Sequence, residues 1–269
     1  MSQKFSWKEL ALLTGGLVVL AVISWGVVLI ATPSPTAPHA PEGWELTLKT
    51  VIRGELGAAL NASEVKKPKT LAALKTIAQR LEAALKEPLP YPLEIVVVDR
   101  PEINAFTFPG GLIVVNQALL EHSSAPEEVA AVIAHEMGHV VHHDSADSLK
   151  RGLLLASLAV LASDSRAVQQ VIQTLSQNAF SRNVEDRADE FAFDLLAHAR
   201  IKPARLADFL ASLPETPQGK FLQKNLPYLL DHPGQDRRIN KARKAPFEGQ
   251  EEPLALNWAE VRTELSSRQ

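Results

Sequence analysis

The sequence predicts an α+β protein that is mostly α-helical, with a small β-sheet and one transmembrane helix near its N-terminus. Three observations support this fold class. The stretch between Glu9 and Glu42 contains no Asp, Glu, Lys or Arg, which is typical of a membrane-spanning segment. Beyond it, apolar residues recur mainly at helical spacing. Two segments, residues 93–98 and 112–115, are instead short and β-rich.

The N-terminal anchor is predicted over residues 10–31, which are almost wholly apolar. As a helix this segment would span roughly 33 Å, about the thickness of a bilayer core. A cleavable signal peptide is the alternative, but its apolar core is usually about 7–15 residues long. The Pro-rich stretch after Ala31 also offers no clean cleavage site of small residues. We therefore expect an uncleaved anchor.

Charges around the anchor predict its orientation. Lys4 and Lys8 precede the span, whereas the next basic residue after it is Lys49 if His39 is counted as neutral. By the positive-inside rule, residues 1–9 lie in the cytoplasm and the rest of the chain lies outside. The absence of Cys fits that location and excludes disulfides, cysteine-bound zinc and thiol catalysis. The expected location is a bacterial inner membrane, with the catalytic domain on the periplasmic side.

The rest of the chain divides into a tether and one domain. Residues 32–43 are Pro-rich and are predicted to be an extended linker, and residues 44–269 are long enough for one domain with a sizeable core. The formal net charge of -3 gives no general basic character. We interpret one local basic run as a solvated helix face and predict no nucleic-acid partner; the run comprises Arg237, Arg238, Lys241, Arg243 and Lys244.

Periodicity and helix breakers predict the elements of this domain in order. Leu and Ile residues at helical spacing predict a helix over residues 71–85, which Pro88 ends. The two β-rich segments flank a turn-containing segment at residues 104–111. Residues 153–161 predict a buried core helix, with a dip into the membrane as the alternative. A continuous or broken helix follows over about residues 166–196, and shorter helices complete the chain after Pro203.

The pattern H-E-x-x-H at residues 135–139 points to a zinc-dependent hydrolase. On a helix, His135 and His139 lie one turn apart, so both imidazoles can bind one metal ion, with Glu136 beside them for proton transfer. The preceding residues predict that helix. Ser124 and Glu127 resemble a capping box, and a proline between them fits a first helical turn.

A catalytic zinc site usually has three protein ligands, so a third ligand must come from elsewhere in the chain. Two overlapping E-x-x-x-D patterns occur downstream, and they pair Glu185 with Asp189 and Glu190 with Asp194. Because five residues turn a helix by about 140°, the two pairs cannot both face the metal. We favour Glu185, because Ala188 leaves room for close helix approach, whereas Phe191 and Phe193 flank the other pair with bulk typical of core packing.

At this point the chain resembles a known family. Four ordered segments are similar to the signatures of M48-type metallopeptidases. They are N-A-F-T-F-P-G-G-L-I-V-V from Asn104, H-E-M-G-H from His135, S-R-N-V-E-D-R-A-D from Ser181, and H-P-G-Q-D-R-R-I from His232. The resemblance covers about residues 71–239 and implies a zincin-like fold. The chain departs from many relatives at Gly234, where they have a second proline.

The resemblance also implies roles for individual residues. One Zn²⁺ per chain would be held by His135, His139 and Glu185, with Glu136 as general base and Asp189 as an outer partner of a zinc-bound histidine. The segment from Asn104 to Val115 would be an exposed edge strand along which an extended peptide lies. The substrate-binding candidates are Asn104, Ala105, Phe106, Gly110 and Gly111.

The role of the His232 segment is left open between two alternatives. His232 either occupies the open position at zinc in a resting state or stabilises the reacting carbonyl, and Arg238 is a further candidate for stabilising the oxyanion. His142 and His143 are expected to be surface residues.

The predicted activity is that of a membrane-anchored zinc endopeptidase that hydrolyses unfolded or damaged polypeptides in protein quality control. The alternative is a chaperone or binding module with a resting or structural zinc site.

Overall fold

The computed structural model describes residues 43–152, 165–176, 180–213, 228 and 231–267. The predicted anchor at residues 10–31, the linker up to residue 42 and the apolar segment 153–161 lie outside this part of the chain. Among the helices that are described, none is both long and apolar enough to cross a membrane.

The protein is a mostly helical α+β structure with a three-stranded sheet, as the sequence predicts. The strands are β1 (Glu94–Val98), β2 (Ala105–Phe108) and β3 (Leu112–Asn116), in the order β1-β3-β2. β1 runs parallel to β3, and β2 runs antiparallel to it. Two glycines with φ near +80°, Gly110 and Gly111, make the tight turn between β2 and β3, a backbone conformation that glycine adopts without steric cost. This topology places β2 at one edge of the sheet.

Helices surround this sheet and make up most of the described structure. In chain order they are α1 (Gly43–Leu60), α2 (Pro68–Glu82), α3 (Gln117–His122), α4 (Pro126–Val141), α5 (Asp144–Gly152), α6 (Ser165–Leu175), α7 (Arg182–His198), α8 (Ala204–Ser212), α9 (Gln235–Lys244) and α10 (Trp258–Ser266).

The alternating side chains of the strands build a core on each face of the sheet. Val97 and Ile113 belong to a cluster with residues of α2, α4 and α7. Val96 and Val114 point to the opposite face and belong to a second cluster with residues of α1 and α6. Because both faces are covered, even the edge strand β2 is buried along its whole length. Packing against the sheet thus fixes the position of α4, which carries the H-E-x-x-H pattern.

The structure corrects one predicted helix boundary and decides between two alternatives for another segment. The helix predicted over residues 71–85 begins earlier, with Pro68 in its first turn, and ends at Glu82, because proline is well tolerated at the first helical position. Of the two alternatives for residues 166–196, the broken helix is confirmed, since α6 ends at Leu175 and α7 begins at Arg182.

The predicted capping box before α4 is also wrong. Ala125 is the N-cap residue and makes no side-chain capping bond. Ser124 instead bonds the carboxylate of Glu128 through its backbone N–H, at 2.8 Å, and through its hydroxyl. The carboxylate of Glu127 accepts a hydrogen bond from the backbone N–H of Leu254. Long-range contacts therefore replace the local capping pattern.

Candidate metal centre

Two histidines on one face of α4 form the base of the site. His135 and His139 are fully buried, and their Nε2 atoms lie 3.2 Å apart. This is the arrangement expected from a spacing of four residues on a helix. Every residue of α4 from Pro126 to Val140 is buried, so the sheet and neighbouring helices hold the two rings from all sides.

Glu185 is brought to the histidines by α7. Its Oε2 lies 3.4 Å from His135 Nε2, and its Oε1 lies 3.5 Å from His139 Nε2. The two helices approach closely where Gly138 faces Ala188: a Cβ atom on Gly138 would lie only 2.8 Å from Ala188 Cα. Glu185 thus belongs to the metal site with the two histidines, and Ala188 lies where the helices approach closely, as the sequence predicts.

His232 completes a group of four side chains whose ligand atoms all lie within 4.8 Å of one another. His232 Nδ1 lies 3.2 Å from His135 Nε2 and 3.1 Å from Glu185 Oε1. Four ligands placed tetrahedrally at zinc's usual bond lengths of about 2.0–2.1 Å are spaced by roughly 3.3 Å. The spacings among His135, His139 and Glu185, and those from His232 to His135 and Glu185, are 3.1–3.5 Å and close to that value, so these residues fit zinc.

Carboxylates behind the two α4 histidines leave their Nε2 atoms free for a metal. Asp189 Oδ1 lies 2.9 Å from His135 Nδ1, and Asp144 Oδ2 lies 2.9 Å from His139 Nδ1. An ionised carboxylate only accepts hydrogen bonds, so in each pair the ring donates from Nδ1, and the neutral ring that binds a metal keeps its lone pair on Nε2. When both rings are neutral, the two lone pairs face each other at 3.2 Å, an arrangement that a shared metal ion would stabilise.

The electrostatics of the site also favour a cation. Burial by itself raises the pKa of Glu185, but the adjacent His232 and His135 outweigh burial and hold this pKa far below its usual range. Burial by itself lowers the pKa of His139, yet its hydrogen bonds to Asp144 and Glu185 outweigh this and raise it to about 10. Both shifts express the strong attraction of the buried carboxylates for positive charge.

Arg238 lies on the side of the site where Asp189 contacts His135. The guanidinium is fully buried and forms a bidentate salt bridge with Asp189. It donates from Nη2 to Oδ1 at 2.8 Å and from Nε to Oδ2 at 2.9 Å. Its Nη1 also lies 3.1 Å from Glu185 Oε2. Although burial opposes it, the positive charge of Arg238 holds the pKa of Asp189 well below its usual range. Arg238 therefore contacts both Asp189, which supports His135, and the ligand Glu185.

Sequence reasoning missed Asp144. His143 adopts φ +54° directly after α4, so the chain reverses there and Asp144 folds back onto His139. Arg187 of α7 donates to the other oxygen of Asp144 at 2.9 Å. The only sequence signal is an acidic residue just after the metal-binding helix. The expectation that His143 lies on the surface is wrong, because it is 7% exposed and its Nδ1 lies 3.2 Å from Glu45 Oε1.

Glu136 lies beside the cluster, between α4 and the edge strand. The Thr107 hydroxyl of β2 lies 2.8 Å from Glu136 Oε2. The other oxygen, Oε1, is buried and has no hydrogen-bond partner among the described residues, and it lies 3.5 Å from His232 Nε2. The strand predicted to bind substrate and the glutamate predicted to act as base are thus in contact.

The predicted substrate strand is at the edge of the sheet but is not exposed. Ala105 and Phe106 are 0% and 6% exposed. The main-chain oxygen of Thr107 accepts a hydrogen bond from the Ser145 hydroxyl of α5 at 2.5 Å. Asn104, just before the strand, donates from Nδ2 to Asp231 Oδ2 at 2.8 Å. The strand is therefore covered by α5 and by the segment that carries His232.

The turn after β2 packs against α1. A Cβ atom on Gly110 would lie 2.8 Å from the main-chain oxygen of Glu45, and one on Gly111 would lie 3.0 Å from that of Pro92. In this structure, the two glycines that were predicted to bind substrate instead let the turn pack closely against neighbouring backbone.

A pair of histidines one helical turn apart, with a glutamate from a second helix, defines the class of H-E-x-x-H zinc metalloendopeptidases. The family model described as "Peptidase family M48" matches residues 68–245, more than half of the chain. The chain belongs to this family, and the metal site of His135, His139 and Glu185 is intact.

Three relatives illustrate the similarity. The "Beta-barrel assembly-enhancing protease" of Yersinia pestis is 27% identical over 61% of this chain and 36% of its own length. The "Mitochondrial metalloendopeptidase OMA1" of Arabidopsis thaliana is 37% identical over 41% of this chain and 23% of its own length. The "Metalloprotease LoiP" of Escherichia coli (strain K12) is 28% identical over 56% of this chain and 62% of its own length. The chain thus spans about a third or less of the first two relatives.

Proposed function

We propose that this M48 metallopeptidase is a zinc endopeptidase with one Zn²⁺ per chain that cleaves unfolded or damaged polypeptides. The observation that carries the proposal is a complete and buried catalytic set. The ligand atoms of His135, His139 and Glu185 have the spacing of a zinc site. Glu136 lies on the same helix as the two histidines, and its Oε1 accepts no hydrogen bond from the described residues.

Each polar residue of the site has a proposed task. When bound, zinc would supply a Lewis acid that activates water and polarises the peptide carbonyl. Glu136 takes a proton from the attacking water and passes it to the leaving amine. Asp189 orients His135, and Asp144 orients His139. The contacts of Arg238 favour a positioning task, because its guanidinium holds Asp189 and Glu185.

Substrate binding is proposed to involve the edge of the sheet. A strand that adds to β2 would be held by main-chain hydrogen bonds, which favours extended polypeptide over a defined sequence. The position of β2 at the sheet edge and its contact with Glu136 support this proposal. The strand must first be uncovered, since Ser145 and Asp231 occupy polar groups at or next to it. The proposed contact residues remain Asn104, Ala105, Phe106, Gly110 and Gly111.

His232 is proposed to cap the zinc in a resting state. Its Nδ1 has the spacing of a fourth tetrahedral ligand, and a catalytic site keeps that position for water and substrate. The same observation favours a second candidate function, because structural zinc sites have four protein ligands. The chain would then be a chaperone or binding module with a closed zinc site.

A His232→Ala variant separates these possibilities. If His232 is a resting cap, the variant should cleave a peptide substrate faster than the parent. If His232 stabilises the oxyanion instead, kcat should fall by about 100- to 1,000-fold. A closed structural site predicts no cleavage by either protein, together with weaker zinc retention in the variant.

The chain is further proposed to be a single-pass protein of a bacterial inner membrane. Residues 1–9 would be cytoplasmic, residues 10–31 the anchor, residues 32–43 a linker and residues 44–269 a zincin-like domain on the periplasmic side. The charge asymmetry around the apolar segment supports this orientation. A role in quality control draws support from the Yersinia relative, whose name refers to β-barrel assembly.

A reporter that is active only in the periplasm tests the location. Fused after Pro41, it should give signal, and the full-length protein should stay with membranes after a carbonate wash. Release of the protein into the soluble fraction would favour signal cleavage.

The central test compares the full-length chain with its Glu136→Gln variant. The variant should keep its zinc, because all three ligands remain, and should lose cleavage of casein, because the base is gone. Zinc content and casein cleavage are measured on the same preparations. Normal turnover by the variant would contradict the proposed mechanism.

A further inference from the structure

The environment of Glu136 differs sharply between its two carboxylate oxygens. Oε2 lies 2.8 Å from the Thr107 hydroxyl, whereas Oε1 is buried with no hydrogen-bond partner among the described residues. A single donor at one oxygen restricts the rotation of the carboxylate and thereby limits the directions in which the other oxygen can point. Thr107 is therefore the hydrogen-bond donor that distinguishes the two oxygens of Glu136, while His232 Nε2 lies 3.5 Å from Oε1.

The Thr107 hydroxyl has two acceptors within reach but only one proton to donate. It lies 2.8 Å from Glu136 Oε2 and 3.1 Å from the main-chain oxygen of Glu136. The shorter contact is to a charged acceptor, and hydrogen bonds to ionised groups are shorter and stronger than those between neutral groups. A bond to the main-chain oxygen would instead serve only to dock β2 on α4. The two possibilities make different experimental predictions.

The backbone of Thr107 is itself held in place. Its main-chain oxygen accepts a hydrogen bond from Ser145 at 2.5 Å, and the residue pairs with Ile113 of β3. Thr107 is 5% exposed, so water does not compete for its hydroxyl. A rigid strand thus presents one donor to Glu136, and such support is what keeps a reacting group within the narrow range of productive geometry.

We propose that Thr107 is a positioning residue for the reaction. Its hydroxyl donates to Glu136 Oε2, fixes the carboxylate and leaves Oε1 to take the proton from the attacking water. The kinetic test of this inference rests on the proposed function. The contact itself is independent of catalysis and can be measured without substrate or metal.

The kinetic test uses two substitutions at Thr107 and one matched control. Thr107→Val keeps the shape of the side chain but removes the hydroxyl, and should lower kcat by about 10- to 100-fold with little change in KM or zinc content. Thr107→Ser restores the hydroxyl and should recover most of kcat. The control is Thr70→Val, because the buried Thr70 hydroxyl also donates to a carboxylate, Glu264 Oε2, at 2.8 Å. It should leave kcat and KM unchanged.

The second test is a double-mutant cycle on the chelator-treated full-length protein. Thr107→Val is made in the parent and in a Glu136→Ala background, and the urea midpoint of unfolding is measured for all four proteins. If the hydroxyl binds the Glu136 carboxylate, the substitution should lower the midpoint in the parent and lower it less in the Glu136→Ala background. A bond to the main-chain oxygen alone predicts the same loss in both.

Two results would overturn the proposal. One is an equal loss of stability in the two backgrounds, which would assign the hydroxyl to the main-chain oxygen. The other is an unchanged kcat in Thr107→Val, which would make the contact structural even if the cycle shows coupling. If the zinc-loaded parent cleaves no peptide at all, the proposed function fails. The cycle then decides alone whether Thr107 holds Glu136.

Discussion

The helix α7 carries the same acidic pattern twice, and one copy is buried whereas the other is exposed. Glu185 and Asp189 are both fully buried, and they contact the metal-binding histidines. The side chains of Glu190 and Asp194 are 72% and 53% exposed. Asp194 pairs with Lys86 on the surface at 2.8 Å. Identical spacing therefore builds a buried catalytic cluster on one face and a solvated surface on the other.

The two faces differ in the size of the residue three positions after each glutamate. After Glu185 it is Ala188, which lies against Gly138 of α4 with no room for an additional atom. After Glu190 it is Phe193, which is partly buried against the main core. The size of this neighbour decides how closely a second helix can approach, and a buried carboxylate needs such a partner helix to supply its ligands.

The largest effect is expected from removing the buried glutamate. Glu185→Ala should lower zinc occupancy sharply and abolish peptide cleavage, because two histidines hold zinc poorly without a third ligand. It also leaves part of the charge of Arg238 without its partner at 3.1 Å. Zinc content of the purified full-length protein is the measurement.

The matched change on the other face is Glu190→Ala, which should leave zinc content and cleavage near the parent values. Its nearest cation, Lys241, is 4.0 Å away, and exposed ion pairs contribute little. Loss of zinc in Glu190→Ala together with normal zinc in Glu185→Ala would reverse the assignment of the two faces.

The aspartates allow a second comparison with a smaller effect. Asp189→Asn removes the charge that orients His135 and pairs with the buried Arg238. Loss of such an outer partner typically weakens metal binding or activity by about 10- to 100-fold. Asp194→Asn should change neither, because its contacts are exposed. Competition with a zinc chelator measures the affinity, and equal affinities for the two variants would mean that Asp189 does not support the metal.

The sequence predicted those parts of the site that depend on local spacing. His135, Glu136 and His139 follow from one helical turn, and Glu185 follows from helix rotation together with a small neighbour. The strands β1 and β3 followed from short β-rich segments on either side of a turn-containing segment, whereas the strand order β1-β3-β2 was not predicted. In each case a few adjacent residues contain the whole signal.

Other parts of the structure depend on long-range contacts and could not be predicted in this way. Asp144 reaches His139 only because the chain reverses at His143 with φ +54°. The placement of His232 Nδ1 at the fourth ligand position required the distances to His135 and Glu185. Likewise, the edge strand was expected to be exposed, yet contacts from α5 and from Asp231 cover it.

The smallest predicted effect tests the close approach that distinguishes the two faces of α7. In Gly138→Ala the new methyl would lie 2.8 Å from Ala188 Cα and 2.9 Å from the Ala188 main-chain oxygen, so α4 and α7 must move apart. Overpacking of this kind costs about 1–3 kcal/mol of unfolding free energy, partly offset by the higher helix propensity of Ala. Zinc affinity should fall with it, since Glu185 moves with α7.

The control for helix propensity is Gly54→Ala in α1, where a Cβ atom would meet nothing within 4 Å. This exposed substitution should raise the unfolding free energy by about 0.5–1 kcal/mol and leave zinc affinity unchanged. Urea unfolding and chelator competition on both variants give the comparison. If Gly138→Ala is as stable as Gly54→Ala and binds zinc as tightly as the parent, the contact between Gly138 and Ala188 does not select the metal-binding face.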